Sequence, residues 1–234
     1  MAAIALAFAL TPAFAQNTAS IPSATVNAGE TVVEFRAGYG ANDGGAADIY
    51  SQRIYVNYAP TGDLRLTAFI EQRRSSDRRD VFRRLSPNAF TQFVQTERWD
   101  LAVRRQGDIP LEDGVPGRLR LGLLSTWRFG DVELRSNVYF GREIGENAPD
   151  GFLFEMRAAA ALRISPSLQI DAQVFNNFIS SKTFGDFDRQ RHQAGPFVRT
   201  RIGKSLRIEA RGVLFGLSAS SPDVEPRLFA GYAF

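Results

Sequence analysis

The chain has 234 residues, of which 44% are hydrophobic and 23% are charged, a composition typical of a folded protein rather than of a disordered or collagen-like chain. It contains no cysteine, which excludes a disulfide framework, a thiol nucleophile and a cysteine-based zinc site. No apolar stretch approaches the roughly 20 residues that a membrane-spanning helix needs, so a helical membrane protein is excluded as well. The basic excess is small, 28 Lys and Arg against 25 Asp and Glu, but all of the basic residues except Lys182 and Lys204 are arginine.

The N-terminus has the pattern of an export signal. Residues 2–10 form a short apolar core, and residues 11–15 (TPAFA) end it with a proline and with small residues where signal peptidase cleaves. We therefore predict a signal peptide over 1–15, although no basic residue precedes the apolar core. Residues 16–30 are polar and show no periodicity, which predicts a flexible lead-in.

From Thr31 to the last residue, apolar and polar side chains alternate with a period of two, and helical stripes are essentially missing. Short connections alternate with longer ones; the short ones are 59–63, 130–131, 164–167 and 203–204, and the longer ones are 40–48, 74–117, 141–151, 179–191 and 216–225. This pattern predicts an all-β fold, a transmembrane up-and-down antiparallel β-barrel over 31–234 whose two ends differ.

The number of strands depends on one region. About ten strands account for the alternation if 74–117 is a long extracellular segment. However, residues 90–105 contain an alternating set of their own, and 78–85 could be its partner strand. Twelve strands are therefore the close alternative.

Alternation alone does not say which face points outwards, because a soluble lipocalin-like barrel has the same pattern inside out. The export signal favours lipid contact, as do aromatic residues near the strand ends, such as Tyr58, Trp127 and Phe140. The apolar residues of the alternating pattern also include many small ones, whereas the packed core of a soluble barrel would contain larger side chains.

The terminal strand RLFAGYAF places Leu228, Ala230, Tyr232 and Phe234 on one face. This strand resembles the C-terminal signature of Gram-negative outer-membrane β-barrel proteins, in which a final Phe follows alternating apolar residues. The resemblance implies an outer-membrane location, recognition of these four residues by the barrel-assembly machinery, and contact with outer-membrane lipid and lipopolysaccharide.

If the apolar sets face lipid, the opposite set faces the lumen and is rich in arginine. The candidates for a lumen anion path are Arg36, Arg53, Arg65, Arg118, Arg120, Arg135, Arg157, Arg199, Arg201, Arg207 and Arg211. They outnumber the acidic residues of the same set, which favours porin-like passage or binding of small anionic solutes. The alternative is a closed structural or surface-interaction barrel, whose lumen is filled by pairs from Glu-x-Arg repeats such as Glu34–Arg36 and Glu155–Arg157.

A second group of arginines falls in the predicted long segment: Arg74, Arg78, Arg79, Arg83 and Arg84. In an extracellular loop they would meet the phosphates of lipopolysaccharide, or they would form a solvated charged loop. A nucleic-acid partner is excluded by the predicted compartment and by the lack of a binding fold.

The lone histidine, His192, has Ser180, Ser181, Asp186 and Asp188 nearby in sequence. A lipid A-modifying enzyme with its site at the barrel rim is therefore a third interpretation, but no family motif surrounds His192. We predict no catalytic residue, no metal site and no cofactor.

Overall fold

The computed structural model describes residues 18–41, 48–75, 78–178, 181, 184, 186–203 and 205–234, with the backbone alone at 75, 78–81 and 206–211. The signal peptide predicted over 1–15 lies outside the described residues. Within them, no helix is long and apolar enough to cross a membrane.

Across the described residues, twelve antiparallel strands close into one up-and-down barrel. Each strand pairs with its neighbours in sequence, and the first pairs with the last to complete the circle. The strands are β1 (Thr31–Gly40), β2 (Ile49–Tyr58), β3 (Leu64–Ser75), β4 (Arg78–Gln95), β5 (Trp99–Pro110), β6 (Gly117–Phe129), β7 (Val132–Ile144), β8 (Leu153–Ser165), β9 (Leu168–Asn177), β10 (Arg191–Ile202), β11 (Leu206–Gly216) and β12 (Val224–Ala233).

The all-β barrel is confirmed with the alternative number of twelve strands, and the estimate of about ten is too low. The segment 74–117 is not one long loop, because it contains β4 and β5. A bulge obscures the alternation here: Glu71 pairs with Arg84 and Gln72 pairs with Phe82, so that Arg83 is an inserted residue in β4.

The two ends of the barrel differ, as the sequence predicts. One end, which we call the turn end, carries the connections 59–63, 96–98, 130–131, 166–167 and 203–205 together with the start of β1 and the end of β12. The opposite end, the loop end, is where the chain passes from β1 to β2, from β3 to β4, from β5 to β6, from β7 to β8, from β9 to β10 and from β11 to β12. The two-residue turn between β6 and β7 needs a left-handed backbone at its first position, and Gly130 supplies it with a φ of 61°.

The apolar face of the strands is the outer surface of the barrel. In β6, Leu119, Leu121 and Leu123 are 59%, 53% and 48% exposed, whereas Leu124 and Thr126 point into the lumen and are inaccessible. A water-soluble barrel has the inverse arrangement, with the apolar side chains filling its interior. The outer surface therefore suits a lipid environment.

The last strand closes the barrel against the first. In β12, Leu228 and Tyr232 lie on the outer surface, Ala230 shares their face, and Phe234 is exposed just beyond the strand. The Phe234 N–H donates a hydrogen bond to the carbonyl of Thr31 at 3.0 Å. Recognition of these residues by the assembly machinery stays a prediction.

Gly195 in β10 packs directly against the backbone of β11. A Cβ atom at this position would lie 1.8 Å from the carbonyl oxygen of Val213, so an added methyl group would force the two strands apart. We expect Gly195→Ala to lower the free energy of unfolding by about 1–3 kcal/mol, measured by urea unfolding in detergent. The control is Gly107→Ala, where the nearest atom would be Leu119 Cδ2 at 3.9 Å. Equal stability of the two variants would contradict the prediction.

Candidate functional site in the barrel lumen

Arginine side chains that stack on aromatic rings line the lumen. The guanidinium carbon of Arg36 lies 4.1 Å from the centre of the Tyr55 ring, and that of Arg65 lies 4.1 Å from the Phe90 ring. Arg227 lies within 5.7 Å of three ring centres, those of Phe175, Phe197 and Phe229. Cation–π attraction holds each guanidinium over its ring and limits the orientations that it can adopt.

The lumen also contains ion pairs within and between strands. Glu-x-Arg repeats pair along their own strands: Arg36 with Glu34, Arg135 with Glu133 at 2.6 Å, and Arg157 with Glu155 at 2.7 Å. Neighbouring strands are joined by Arg53 with Glu71, Arg118 with Glu143 at 2.7 Å, and Arg199 with Asp171 at 2.8 Å. A large share of the lumen charge is therefore neutralised locally.

Residues 18–26, which precede β1, run inside the barrel; we call them the lumen segment. Lumen side chains donate hydrogen bonds to its backbone carbonyl groups: Arg227 to Ala19 at 3.0 Å, Arg157 to Ser20 at 2.7 Å, Arg135 to Ile21 at 3.2 Å and Asn137 to Pro22 at 3.2 Å. These carbonyl oxygens take the donors that the oxygen atoms of an anion would use.

Towards the turn end, polar side chains of the barrel wall fix the same segment. The Ala24 N–H donates to Thr126 Oγ1 at 2.9 Å, the Val26 N–H donates to Gln92 Oε1 at 2.7 Å, and the Thr25 hydroxyl donates to Asp100 Oδ2 at 2.6 Å. These bonds satisfy backbone groups that would otherwise be buried without partners.

Apolar contacts complete the anchoring of the lumen segment. Ala19 and Ile21 pack in one cluster with Ala159, Phe175 and Leu214, and Ala24 packs in another with Phe90, Ala102 and Leu124. Ile21, Ala24 and Val26 are each 1% exposed, so this face of the segment packs against the barrel wall and narrows the lumen, while Ser20, Pro22, Ser23 and Thr25 remain partly accessible. Apart from Arg36, which bonds Ser20, the hydrogen-bond partners that hold residues 18–26 of the predicted flexible lead-in lie 66 to 208 positions away, a separation that local sequence patterns do not report.

Between the lumen segment and the loop end lies a basic cavity, which we call the loop-end cavity. Ala19, near the start of the lumen segment, contributes to its wall. The charged residues of the wall are seven arginines, Arg53, Arg73, Arg83, Arg84, Arg118, Arg120 and Arg157, and three acids, Glu71, Asp108 and Glu155. The wall therefore carries an excess of four positive charges. The bulge in β4 contributes to this excess, because Arg83 and Arg84 are consecutive and both line the cavity.

Acceptors are scarce in the loop-end cavity. A single carboxylate oxygen, Asp108 Oδ2, lies 3.9 Å from nitrogen atoms of Arg84, Arg118 and Arg120. Within the described residues, the buried Nε groups of Arg83, Arg84 and Arg120 have no hydrogen-bond acceptor. A buried donor without a partner costs about 1–3 kcal/mol. An anion with several oxygen atoms would supply the missing acceptors.

The structure places most of the predicted lumen arginines on the inner wall. Those with side chains that face the lumen are Arg36, Arg53, Arg65, Arg118, Arg120, Arg135, Arg157 and Arg199. Arg201 is exposed near the turn end. The side chains of Arg207 and Arg211 lie outside the described residues.

Several charged lumen residues are missing from the sequence prediction: Arg84, Arg104, Arg227, Asp100, Asp108, Glu143 and Glu225. Arg227 could have been found, because it alternates with Leu228 in the terminal strand. Arg104 and Asp108 depend on β5, which the ten-strand interpretation omits.

The arginines assigned to a lipopolysaccharide-facing loop lie in strands instead. Arg74 is exposed near the end of β3, and Arg83 and Arg84 point into the loop-end cavity. Arg78 and Arg79 belong to β4, and their side chains lie outside the described residues. Arg83 and Arg84 are therefore part of the lumen rather than of an external loop.

His192 lies in a buried position near the loop end, where its ring is held by amides. Its Nδ1 pairs with Asn176 Oδ1 at 2.9 Å and its Nε2 pairs with Gln190 Oε1 at 3.1 Å, while Phe187 stacks on the ring. In the described part of the chain, neither ring nitrogen bonds a hydroxyl or a carboxylate that would complete a nucleophile–base pair. No group of three or more potential metal ligands occurs among the same residues.

A twelve-stranded barrel with an apolar outer surface and a polar lumen is the fold of Gram-negative outer-membrane β-barrel proteins, and solved structures of that class match this chain. The COG4313 outer-membrane channel from Pseudomonas putida F1 superposes with a TM-score of 0.66 at 12% identity, over 89% of this chain and 97% of that one. The KdgM porin superposes with a TM-score of 0.61 at 8% identity, over 87% of this chain and 99% of that one.

The translocator domain of the autotransporter NalP from Neisseria meningitidis is also similar, with a TM-score of 0.51 at 14% identity over 88% of each chain. No protein-family model and no curated protein matches the sequence. At these identities the likeness shows the fold, and the function has to be argued from the lumen.

Proposed function

We propose that this protein is a porin-like barrel of the outer membrane that binds small anionic solutes and allows their passive passage. The observation that carries the proposal is the loop-end cavity, with seven arginines against three acids. Rings of arginine favour anions by charge and by bidentate contact with carboxylate or phosphate. The loop end would face the exterior, so a solute would meet this cavity first.

The neighbouring structures support the proposal at a coarser level. One of them was solved as the KdgM porin in complex with disordered oligogalacturonate, whose sugars carry carboxylates. A ligand of this chemistry would supply acceptors to the Nε groups of Arg83, Arg84 and Arg120, which have none among the described residues.

Passage past the loop-end cavity requires displacement of the lumen segment. Its carbonyl groups accept hydrogen bonds from Arg227, Arg157 and Arg135, and its side chains Ile21, Ala24 and Val26 are packed against the barrel wall. We therefore expect the native barrel to open rarely and briefly.

The same contacts favour the closed structural or surface-interaction barrel as a second candidate. A closed barrel would contact lipopolysaccharide or an external ligand through its long loops and would conduct no ions. Once the lumen segment is removed, the proposed channel would conduct ions, whereas the closed barrel would remain silent.

The ion selectivity of the channel tests the proposal that its solutes are anionic. We expect Arg120→Gln to lower the ratio of chloride to potassium permeability severalfold, because it removes one of the cations that share Asp108. The measurement is the reversal potential of single openings in a planar bilayer under a KCl gradient. Arg98→Gln, in the exposed turn between β4 and β5, is the matched control. A cation-selective native channel would contradict the proposed function.

A further inference from the structure

The outer surface of the barrel bears an apolar groove that crosses several strands. The groove has a volume of about 1020 Å³ and extends from Val56 on β2 to Phe152, just before β8. Small residues of β3, β4 and β5 lie along its middle: Ala68, Pro87, Ala89 and Gly107. Larger apolar side chains, among them Leu66, Leu121 and Phe140, line both of its halves.

Two charged side chains of the groove wall face outwards: Arg105 lies near its centre and Arg142 lies nearer the loop end, on β7, whereas a third, Arg120, points into the lumen. Strand register joins seven outward-facing residues in a single row, Tyr58–Leu66–Ala89–Arg105–Leu121–Phe140–Phe154. The row rises from the turn end of β2 to the loop end of β8. Arg105 is its fourth member, and the other six are apolar or aromatic. Arg105 is therefore at mid-height on a surface that suits lipid.

The surroundings of Arg105 leave its charge without compensation. Its guanidinium donates one hydrogen bond, to Thr91 Oγ1 at 3.2 Å, and no carboxylate pairs with it among the described residues. An arginine on the lipid face near the bilayer midplane is costly, and the cost is relieved when an anion shares the site. The carboxylates of the lumen do not offset the charge of Arg105, because its side chain points away from the lumen.

We propose that the groove binds a long-chain carboxylate, with the carboxylate on Arg105 and the acyl chain along the Leu121 and Phe140 half. From Arg105 to either end of the row there are three strand spacings, about 14 Å, which suits an extended acyl chain. The charge lies at the middle of the row, with apolar surface on both sides. This position fits a single-chain acid, whereas the phosphate of a bilayer phospholipid stays at the level of the headgroups.

The test is equilibrium binding of radiolabelled dodecanoate to the full mature chain in nanodiscs of phosphatidylcholine. We expect Arg105→Leu to weaken binding at least about tenfold, because a charge-assisted hydrogen bond is lost. Arg105→Lys should retain a large part of the affinity, and dodecanol should bind the native chain no better than it binds Arg105→Leu.

Three outcomes would overturn the proposal: equal dodecanoate affinity of the native chain and Arg105→Leu, equal affinity of the native chain for dodecanol and dodecanoate, or a change of oligomeric state in Arg105→Leu without a change in affinity. Misfolding does not confuse the test, because leucine on the lipid face is more favourable than arginine. Arg98→Leu, in an exposed turn, is the matched control.

Discussion

Deletion of residues 18–26 is expected to increase the single-channel conductance severalfold and to lengthen the open time. The lumen segment narrows the barrel at the height of Ile21, Ala24 and Val26, which are 1% exposed and pack against the wall. Its removal leaves the guanidinium groups of Arg135, Arg157 and Arg227 without their carbonyl acceptors, so water and anions should replace it. The measurement is single-channel recording of the refolded barrel, with heat-dependent gel mobility as the check of folding.

A peptide with the sequence of residues 18–26 provides the control for this deletion. Added at the turn end, it should reduce the current of the shortened barrel, whereas a scrambled peptide should not. An unchanged conductance of the deletion variant would show that the segment is not the obstruction. A folded but silent variant would favour the closed barrel over the channel.

Fixing the lumen segment to the wall should have the opposite effect and abolish current. The Ser23 and Thr126 hydroxyl oxygens lie 3.1 Å apart, so Ser23→Cys with Thr126→Cys brings two thiols into contact. The chain has no cysteine of its own, which makes this pair the sole disulfide that can form within one molecule. We expect no openings in the oxidised form and native openings after reduction.

The two single variants, Ser23→Cys and Thr126→Cys, control for the substitutions themselves and should respond to neither oxidant nor reductant. Openings of native size and frequency in the oxidised double variant would mean that solutes pass beside the segment. The free lumen would then have to be larger than the burial of Ile21 and Ala24 indicates.

The sequence is sufficient to predict the barrel, because each lipid-facing strand repeats the same period of two. In β6 and β7, the alternation of leucine with arginine and glutamate gives the outer and inner faces directly. The strand count is harder to predict because of β4. There the inserted residue Arg83 interrupts the period, and Pro87 resembles a strand breaker although it lies within the strand.

The lumen is only partly predictable from local pattern. Alternation identifies Arg118, Arg135 and Arg157, but it cannot show that backbone carbonyls of a preceding segment occupy two of them. The balance of charge is also only partly predictable, because acids such as Asp108 and Glu143 and arginines such as Arg84 and Arg227, all missing from the sequence prediction, face the lumen. The hydrogen bonds to the lumen segment span as many as 208 positions and become visible only when the barrel is closed.

The lumen segment has a consequence for assembly, since it is joined directly to β1, one side of the seam that closes on β12. If the seam closes around residues 18–26, the segment is enclosed at once. If the seam closes first, the segment has to thread back through the turn-end mouth with its N-terminal side leading. A bulky domain fused upstream of Gln16 would block threading but not closure of the seam around the segment. In such a fusion, a normal yield of barrels with an enclosed segment would indicate closure around the segment, and a low yield would indicate threading.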